Sequence, residues 1–257
     1  MPAPRRYLFS LLCMLIACGA SATTIVIIRT PNLIVIASDS KAQYQGDQGN
    51  PQVCKIARQN ETYFVVAGLA HDTYQGFLAN RTVASAIARA NTFEEQANAV
   101  EEDLGRELGK ELDTLRKEDP EGFRFAVTGE APSSIALVTV EGGVPKVAVF
   151  SFLFDKTTGK LSVRRDSCPG TCTGEDFYVQ LGRAVSADEV VKVTGSPTRV
   201  ARALVEMQIA KDPQNVGPPI EIMELRANGP EWIQDELNCA AETNTRKKYP
   251  HSLTVQF

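Results

Sequence analysis

The sequence predicts one α+β domain that begins after residue 22. Runs rich in β-branched residues open it, two segments with helical periodicity follow, and strands and then helices recur before the last strands. No repeat, low-complexity tract or linker interrupts residues 23–257. With 257 residues and 43 % hydrophobic content, the chain can bury a sizeable core within one domain.

The first predicted elements form a hairpin. Residues 24–28 and 33–37 are strand-like runs, and Pro31-Asn32 between them supplies turn residues. Both runs are apolar at nearly every position, which favours a sheet covered on both faces. A brief strand at 53–56 and a longer one at 63–67 follow, so the domain is expected to start with an antiparallel sheet.

Helical periodicity begins near residue 72. One helix is predicted over 72–90, capped by Asp72 or Thr73. A second helix over 92–115 opens with a capping box, in which a threonine is followed three residues later by Glu95. Two consecutive helices after a sheet predict a helical layer packed on that sheet.

The second half of the chain is predicted to add further strands and two helices. The strands lie next to turn residues, at 133–140, 146–154, 160–163, 177–181 and 219–225. The helices lie at 187–193 and 197–209. After a turn at Asn228-Gly229, Trp232 is expected to open a closing strand.

Residues 1–22 have the pattern of a cleaved export signal. Arg5 and Arg6 form a basic start, an apolar stretch covers 7–17, and the small residues at 20–22 fit the A-x-A cleavage rule. The apolar stretch is too short for a stable transmembrane segment. The expected location is therefore outside the cytoplasm, in the periplasm or the extracellular space.

A second processing route stays open at the end of this leader. Residues 15–18 resemble a bacterial lipobox, and cleavage there would leave a lipid-anchored Cys18 at the N-terminus. Cleavage after Ala22 is the preferred interpretation, because that site lies immediately before a strand-like run.

The charge of the chain argues against a nucleic-acid partner. The formal net charge is −4, and the short basic run at 246–248 has the pattern of a solvated tail. We therefore predict no binding of nucleic acid.

Four cysteines remain once the leader is removed. Cys168 and Cys172 have C-x3-C spacing with no histidine nearby, which in an exported protein favours a small loop disulfide over a metal site. Cys54 and Cys239 could pair or remain buried thiols, and the sequence leaves both options open.

The cleavage position determines what Thr23 can do. A mature chain starting at Thr23 carries an α-amine and a hydroxyl on one residue, and an α-amine with a pKa of about 7.7 to 8.0 can accept the hydroxyl proton. The site further needs a cation that keeps the amine neutral, an acid that holds the cation, and amides that bind an oxyanion. A lipidated start at Cys18 would leave five residues ahead of Thr23 and remove this base.

Four segments between residues 23 and 72 resemble a known family. TTIV, IASDSKA, CKI and VVAGLAHD are similar to the proteasome β-subunits and their bacterial threonine-peptidase relatives, which are N-terminal nucleophile (Ntn) hydrolases. In that family an N-terminal threonine is the nucleophile, with an aspartate sixteen residues on and a lysine thirty-two residues on; here these positions hold Asp39 and Lys55. The resemblance implies Thr23, Asp39 and Lys55 as catalytic residues. It also implies a four-layer αββα sandwich of two antiparallel sheets between helical layers.

The supporting residues of the family match less well. Gly68, one position short of the family's spacing, is implied as the donor of an oxyanion amide. The family's Ser-Gly serine has no counterpart beside Gly182, and its late aspartate and serine fall on Asp212 and Val216. Because these hydroxyls are missing, water or Ser40 is expected to complete the hydrogen bonds around the amine.

The function implied by this resemblance is amide-bond hydrolysis by a threonine-type peptidase that needs no metal and no organic cofactor. Its substrate would be a peptide, and a homo-oligomer is an open expectation. One alternative is an acylase or amidase of the same fold that acts on small-molecule amides. Another is a non-catalytic exported binding module, which the missing hydroxyls favour and the intact spacing of Thr23, Asp39 and Lys55 opposes.

Overall fold

The computed structural model describes residues 23–42, 51–72, 76–129, 131–172 and 176–241. The strands are β1 Thr24–Thr30, β2 Leu33–Asp39, β3 Ala57–Gln59, β4 Thr62–Gly68, β5 His71–Asp72, β6 Phe77–Leu78, β7 Ser133–Glu141, β8 Val144–Asp155, β9 Lys160–Cys168, β10 Phe177–Gly182, β11 Ile220–Arg226 and β12 Gly229–Gln234. The helices are α1 Ala79–Ala88, α2 Phe93–Glu118, α3 Pro120–Ala126, α4 Ala187–Val190 and α5 Pro197–Lys211. The predicted leader, Cys18, Thr73 and the basic run at 246–248 lie outside the described residues.

The strands form two five-stranded sheets and a small two-stranded one. The first sheet has the order β10-β1-β2-β11-β12 and the second the order β3-β4-β7-β8-β9. All of their neighbouring strands are antiparallel. The predicted mixture of helices with antiparallel sheets is therefore confirmed, as are the two hairpins β1–β2 and β7–β8.

Three apolar clusters hold the elements together. One joins the two large sheets and includes Ile25, Ile36, Val65 and Val138. A second packs α1 and α2 against the second sheet, and a third packs α5 against the first sheet. Each large sheet is thus covered on both faces, because one face meets the other sheet and the opposite face meets helices.

Strand β2 shows why the first hairpin is apolar throughout. Ile34 and Ile36 point into the cluster between the sheets, while Val35 and Ala37 pack against α5 in the third cluster. Alternate side chains of a strand face opposite sides of its sheet, so both faces need apolar residues here. The prediction of a sheet buried on both faces is confirmed, and all seven residues of β2 are buried.

All four predicted helices have different bounds. The helix predicted over 72–90 begins only at Ala79, since Asp72 pairs with Phe77 in the small hairpin β5–β6. Thr92 and Glu95 form the predicted capping box at the start of α2, which continues past residue 115 to Glu118. The short helix α3 follows directly and was not predicted. In the second half of the chain, α4 ends at Val190 rather than at residue 193, and α5 ends at Lys211 rather than at residue 209.

The predicted strand at 53–56 is wrong. The strand begins only at Ala57, where the short β3 joins β4, and residues 53–56 have no strand partner among the described residues. Elsewhere the strands differ from prediction by extension: β9 runs on to Cys168, and β12 opens at Gly229 rather than at Trp232. These longer bounds reflect pairing with neighbouring strands, which a local pattern does not contain.

Two disulfides are present. Cys168–Cys172 closes the predicted small loop, and Cys54–Cys239 joins residues 185 positions apart with a Cα–Cα distance of 5.6 Å. The structure thus settles the pairing that the sequence left open. Disulfides of this kind are typical of exported proteins. Among the described residues, no helix is long and apolar enough to cross a membrane.

Candidate functional site

Asp39, the last residue of β2, is the centre of a buried hydrogen-bond cluster. Its Oδ1 accepts from the Thr24 N–H at 2.8 Å and from Lys55 Nζ at 2.6 Å. Its Oδ2 accepts from the N–H groups of Lys41 and Gly217, each at 3.2 Å. The side chain is 0 % exposed, so these four donors replace the water that would otherwise solvate the carboxylate.

Lys55 connects this carboxylate to Thr23. Its Nζ donates to Asp39 and also to Thr23 Oγ1 at 3.2 Å, and its side chain is 7 % exposed. Burial lowers the pKa of Lys55 from its ordinary value, while the charge of Asp39 and the hydrogen bond to it act in the opposite direction. The structure therefore brings the three predicted catalytic residues into one hydrogen-bonded chain, with the ammonium between the hydroxyl and the carboxylate.

The segment carrying Lys55 is not a strand of either large sheet, and it is held by one isolated bridge, main-chain hydrogen bonds and a disulfide. Gln52 forms an isolated bridge with Lys41, and the Val53 N–H donates to the Ser40 carbonyl at 2.7 Å. The next residue, Cys54, is bonded to Cys239. Lys55 is thus fixed by the disulfide directly before it and by the main-chain contacts of β2's end.

Thr23 is half-buried at the start of β1, where β10 fixes its main chain. Its carbonyl accepts from the Arg183 N–H at 2.7 Å, and Thr24 Oγ1 donates to the Arg183 carbonyl at 2.9 Å. Thr24 pairs with Gly182, the glycine whose preceding serine is missing. Arg183, which the sequence analysis did not single out, follows this glycine and lies across from Thr23.

Asp212 lies close to this edge without a direct contact to Thr23 among the described hydrogen bonds. Its Oδ2 is 3.2 Å from Arg183 Nε, and its Oδ1 accepts from Asn215 Nδ2 at 2.8 Å. The turn after Asp212 leads to Gly217, which donates to Asp39 and accepts from the Ser40 N–H at 3.1 Å. Thr23 is thus linked to Arg183 and Arg183 to Asp212, and the turn that follows Asp212 ends at the Gly217 N–H that binds Asp39.

Ser40 and Val216 are the two positions at which the resemblance raised the matter of a missing or substitute hydroxyl. Ser40 is buried next to Asp39, and its hydroxyl has no hydrogen-bond partner within the part of the chain that is described. Val216, at the position of the family's late serine, is fully buried in the turn. The role of Ser40 in completing the site stays a prediction.

Gly68 ends β4 in the second sheet, across from Ser133. Its φ is +92°, and a Cβ there would lie 2.4 Å from the Pro132 carbonyl oxygen, so the position requires glycine. None of the described hydrogen bonds joins Gly68 to Thr23, Asp39 or Lys55. Its oxyanion role stays a prediction.

Apart from the site at Asp39, two acidic side chains lie close together at the Cys54–Cys239 disulfide. Ligand atoms of Glu221, Asp235 and Cys239 are within 4.8 Å of one another, but the sulfur of Cys239 is bonded to Cys54 and is not free as a thiolate. Glu221 is fully buried and accepts from the Leu237 N–H at 3.1 Å. Burial raises the pKa of Glu221 to about 7; the Leu237 N–H opposes this rise and the charge of Asp235 adds to it.

We expect this carboxyl to make the stability of the protein depend on pH. The folded-state pKa of Glu221 lies above its ordinary value, so its contribution to stability is full in acid and is lost as the pH rises through about 7. Glu221→Gln should therefore flatten the fall in the free energy of urea unfolding between pH 5 and pH 8. Glu231→Gln, at an exposed position on the neighbouring strand, controls for the loss of one charge. Equal pH profiles for the Glu221 variant and the unchanged protein would contradict this expectation.

No protein-family model matches the chain, and no curated protein sequence is significantly similar to it. The function proposed next therefore rests on the contacts of Thr23, Lys55 and Asp39 and on the resemblance of the segments that carry them.

Proposed function

We propose that the chain is an exported amide hydrolase of the Ntn type, most similar in its chemistry to threonine peptidases, with Thr23 as its first residue and nucleophile. The observation that carries this proposal is the position of Lys55 Nζ, 3.2 Å from Thr23 Oγ1 and 2.6 Å from Asp39 Oδ1. A buried cation between a hydroxyl and a carboxylate lowers the free energy of an alkoxide that develops on the hydroxyl.

The packing of the chain supports the same proposal. The three apolar clusters join helices α1 and α2 to the second sheet, the second sheet to the first, and the first sheet to α5. This succession is compatible with the four-layer αββα sandwich of the Ntn hydrolases. Since unrelated proteins can share an architecture, the fold supports the chemistry only together with the site.

The proposed reaction begins with transfer of the Thr23 hydroxyl proton to the Thr23 amine. The oxygen attacks the carbonyl carbon of an amide, and the Gly68 N–H and the Lys55 ammonium offset the negative charge that develops. The amine returns its proton to the leaving nitrogen, so the C–N bond breaks and an ester to Thr23 Oγ remains. Water then gives a proton to the same amine and attacks the ester; the C–O bond to Thr23 breaks, and the amine returns the proton to Thr23 Oγ, which releases the acid and restores the hydroxyl.

A reagent that needs both groups of Thr23 tests this proposal. A peptide epoxyketone should add once to a chain that begins at Thr23, and peptide mapping should place the added mass on that residue. Thr23→Ala and a matched chain that keeps Ala22 ahead of Thr23 should remain unmodified, because the first lacks the hydroxyl and the second lacks the free amine. No adduct on the unchanged chain, or equal adducts on all three, would overturn the nucleophile assignment.

Two further measurements define the enzyme. The intact mass of the exported protein should correspond to a start at Thr23, whereas a lipid-modified Cys18 would remove the base. Hydrolysis of peptide amides set against small N-acylamines then separates a peptidase from an acylase. Activity on the small amides alone would replace the peptidase proposal with the acylase.

A further inference from the structure

We propose that Arg183 is a positioning residue of this site, whose ion pair with Asp212 keeps the Thr23 amine in the neutral form that can act as a base. This inference rests on the proposed function and adds a residue that the family resemblance does not supply. Arg183 stands directly after Gly182, where the sequence lacks the serine expected around the amine.

The main chain of Arg183 lies directly opposite Thr23 and is hydrogen-bonded to its carbonyl. The β1–β10 register pairs Thr24 with Gly182, and the Arg183 N–H continues it by donating to the Thr23 carbonyl at 2.7 Å. Residues directly opposite each other in an antiparallel pair have Cα atoms about 4.5 to 5.5 Å apart. The Arg183 main chain is therefore an immediate neighbour of Thr23, and its side chain starts from this edge.

The side chain of Arg183 compensates an unfavourable carboxylate. Asp212 follows the last residue of α5, where unpaired carbonyls carry a partial negative charge that disfavours a second negative group. Arg183 Nε lies 3.2 Å from Asp212 Oδ2, and the two side chains are 28 % and 21 % exposed. With Arg183 present, the two opposite charges of this pair oppose each other in their effect on the Thr23 amine.

Removing the cation changes that balance. The described charged residues on the elements that carry this edge include Asp39 and Lys41 at the end of β2, Lys55 beside Cys54, Arg183 after β10, and Lys211 and Asp212 at the end of α5. Asp39 is matched by Lys55, the Lys41 ammonium is held by the carbonyls of Pro213 and Gln214, and Lys211 is paired with Glu189. Without Arg183, Asp212 would lose its ion-pair partner and favour the protonated amine, which cannot act as a base.

Variants that remove or keep the charge of Arg183 and Asp212 test this inference on chains that begin at Thr23. The first readout is the pH midpoint for modification of the N-terminal amine by trinitrobenzenesulfonate, followed by mass spectrometry of the N-terminal peptide. Arg183→Gln should raise that midpoint by about one pH unit and slow epoxyketone addition at pH 7 about fivefold to tenfold. Arg183→Lys should stay near the unchanged chain, and Asp212→Asn should lower the midpoint.

The double variant distinguishes a charge effect from a packing defect. Arg183→Gln with Asp212→Asn removes both charges, so the midpoint should return toward that of the unchanged chain, although the ion pair is still lost. Arg226→Gln is the matched control, since Arg226 pairs with Glu224 at the end of β11 away from Asp39. That control should alter neither the midpoint nor the addition rate.

The results that would contradict the positioning role of Arg183 differ from those that would contradict the proposed function. An unchanged midpoint in Arg183→Gln, or a double variant that stays shifted, overturns the positioning role. If Arg183→Gln does not fold, the downward shift in Asp212→Asn decides instead, and its absence has the same force. The amine readout needs no hydrolysis, so a chain that shows the midpoint shifts but never adds epoxyketone contradicts the proposed function and leaves the electrostatic coupling standing.

Discussion

Lys55→Ala should reduce the rate of epoxyketone addition to Thr23 about a thousandfold, the scale expected for loss of a group that controls proton transfer. Lys55 Nζ lies 3.2 Å from Thr23 Oγ1, and in a chain that begins at Thr23 its charge would disfavour protonation of the amine. Without it, the alkoxide loses its counter-charge and the amine is held less strongly in its basic form. The measurement is the pseudo-first-order rate of mass addition to a chain that begins at Thr23.

A loss of rate has to be separated from a loss of fold. Asp39 would be left buried with only its three main-chain donors, and removing one partner of a buried ion pair costs about 3 kcal/mol of stability. Urea unfolding of Lys55→Ala and of Lys55→Met, which keeps the apolar stem, therefore accompanies the kinetics. Addition at the original rate by a folded variant would show that Lys55 is a structural ion-pair residue only.

Among the proposed variants, removal of the Cys54–Cys239 disulfide should cause the largest decrease in the free energy of unfolding. In the chain-entropy description, a cross-link between residues 185 positions apart stabilises the folded state by about 5 kcal/mol. The double substitution Cys54→Ala with Cys239→Ala should therefore lower the free energy of unfolding by about that amount. It should also slow epoxyketone addition, since Cys54 holds the segment that carries Lys55.

The second disulfide provides the matched control. Cys168 and Cys172 are only four positions apart, so the same relation predicts a loss of about 2 kcal/mol when both are replaced by alanine. That variant should retain the addition rate, because β9 carries none of the three proposed catalytic residues. Equal losses of stability in the two double variants would contradict the dependence on loop length.

Local patterns identified the elements whose signals are contained in a few residues. The β1–β2 hairpin follows from two apolar runs around Pro31-Asn32, and the start of α2 follows from Thr92 and Glu95. The strand prediction at 53–56 failed because these residues have strand character but pair with no strand that the structure describes. The bounds of α1 failed for a related reason, since Phe77 fits a helical face and yet pairs with Asp72.

In the candidate site, too, some residues could be identified from the sequence, whereas others depend on contacts between distant parts of the chain. Asp39 and Lys55 were found by counting the intervals of the resembled family from Thr23, and Lys55 contacts both Asp39 and Thr23 as that resemblance implied. Arg183 was missed because its importance depends on the β1–β10 register and on Asp212, which approaches from the end of α5. Likewise, sequence alone could not identify Gly217 as a donor to Asp39, because that contact depends on a turn remote in the chain.

The position of β2 determines how readily its amides exchange with solvent. As the middle strand of its sheet, β2 is hydrogen-bonded to β1 and β11 and covered on both faces, so its amides should exchange with solvent only when the whole domain unfolds. Within the described part of the chain, the segment before Lys55 has only an isolated bridge between Gln52 and Lys41, so it would exchange through small local openings if the cross-link to Cys239 were absent. The ion pair between Lys55 and Asp39 thus joins a strand whose amides we expect to exchange slowly to a segment that a disulfide ties to the end of the domain.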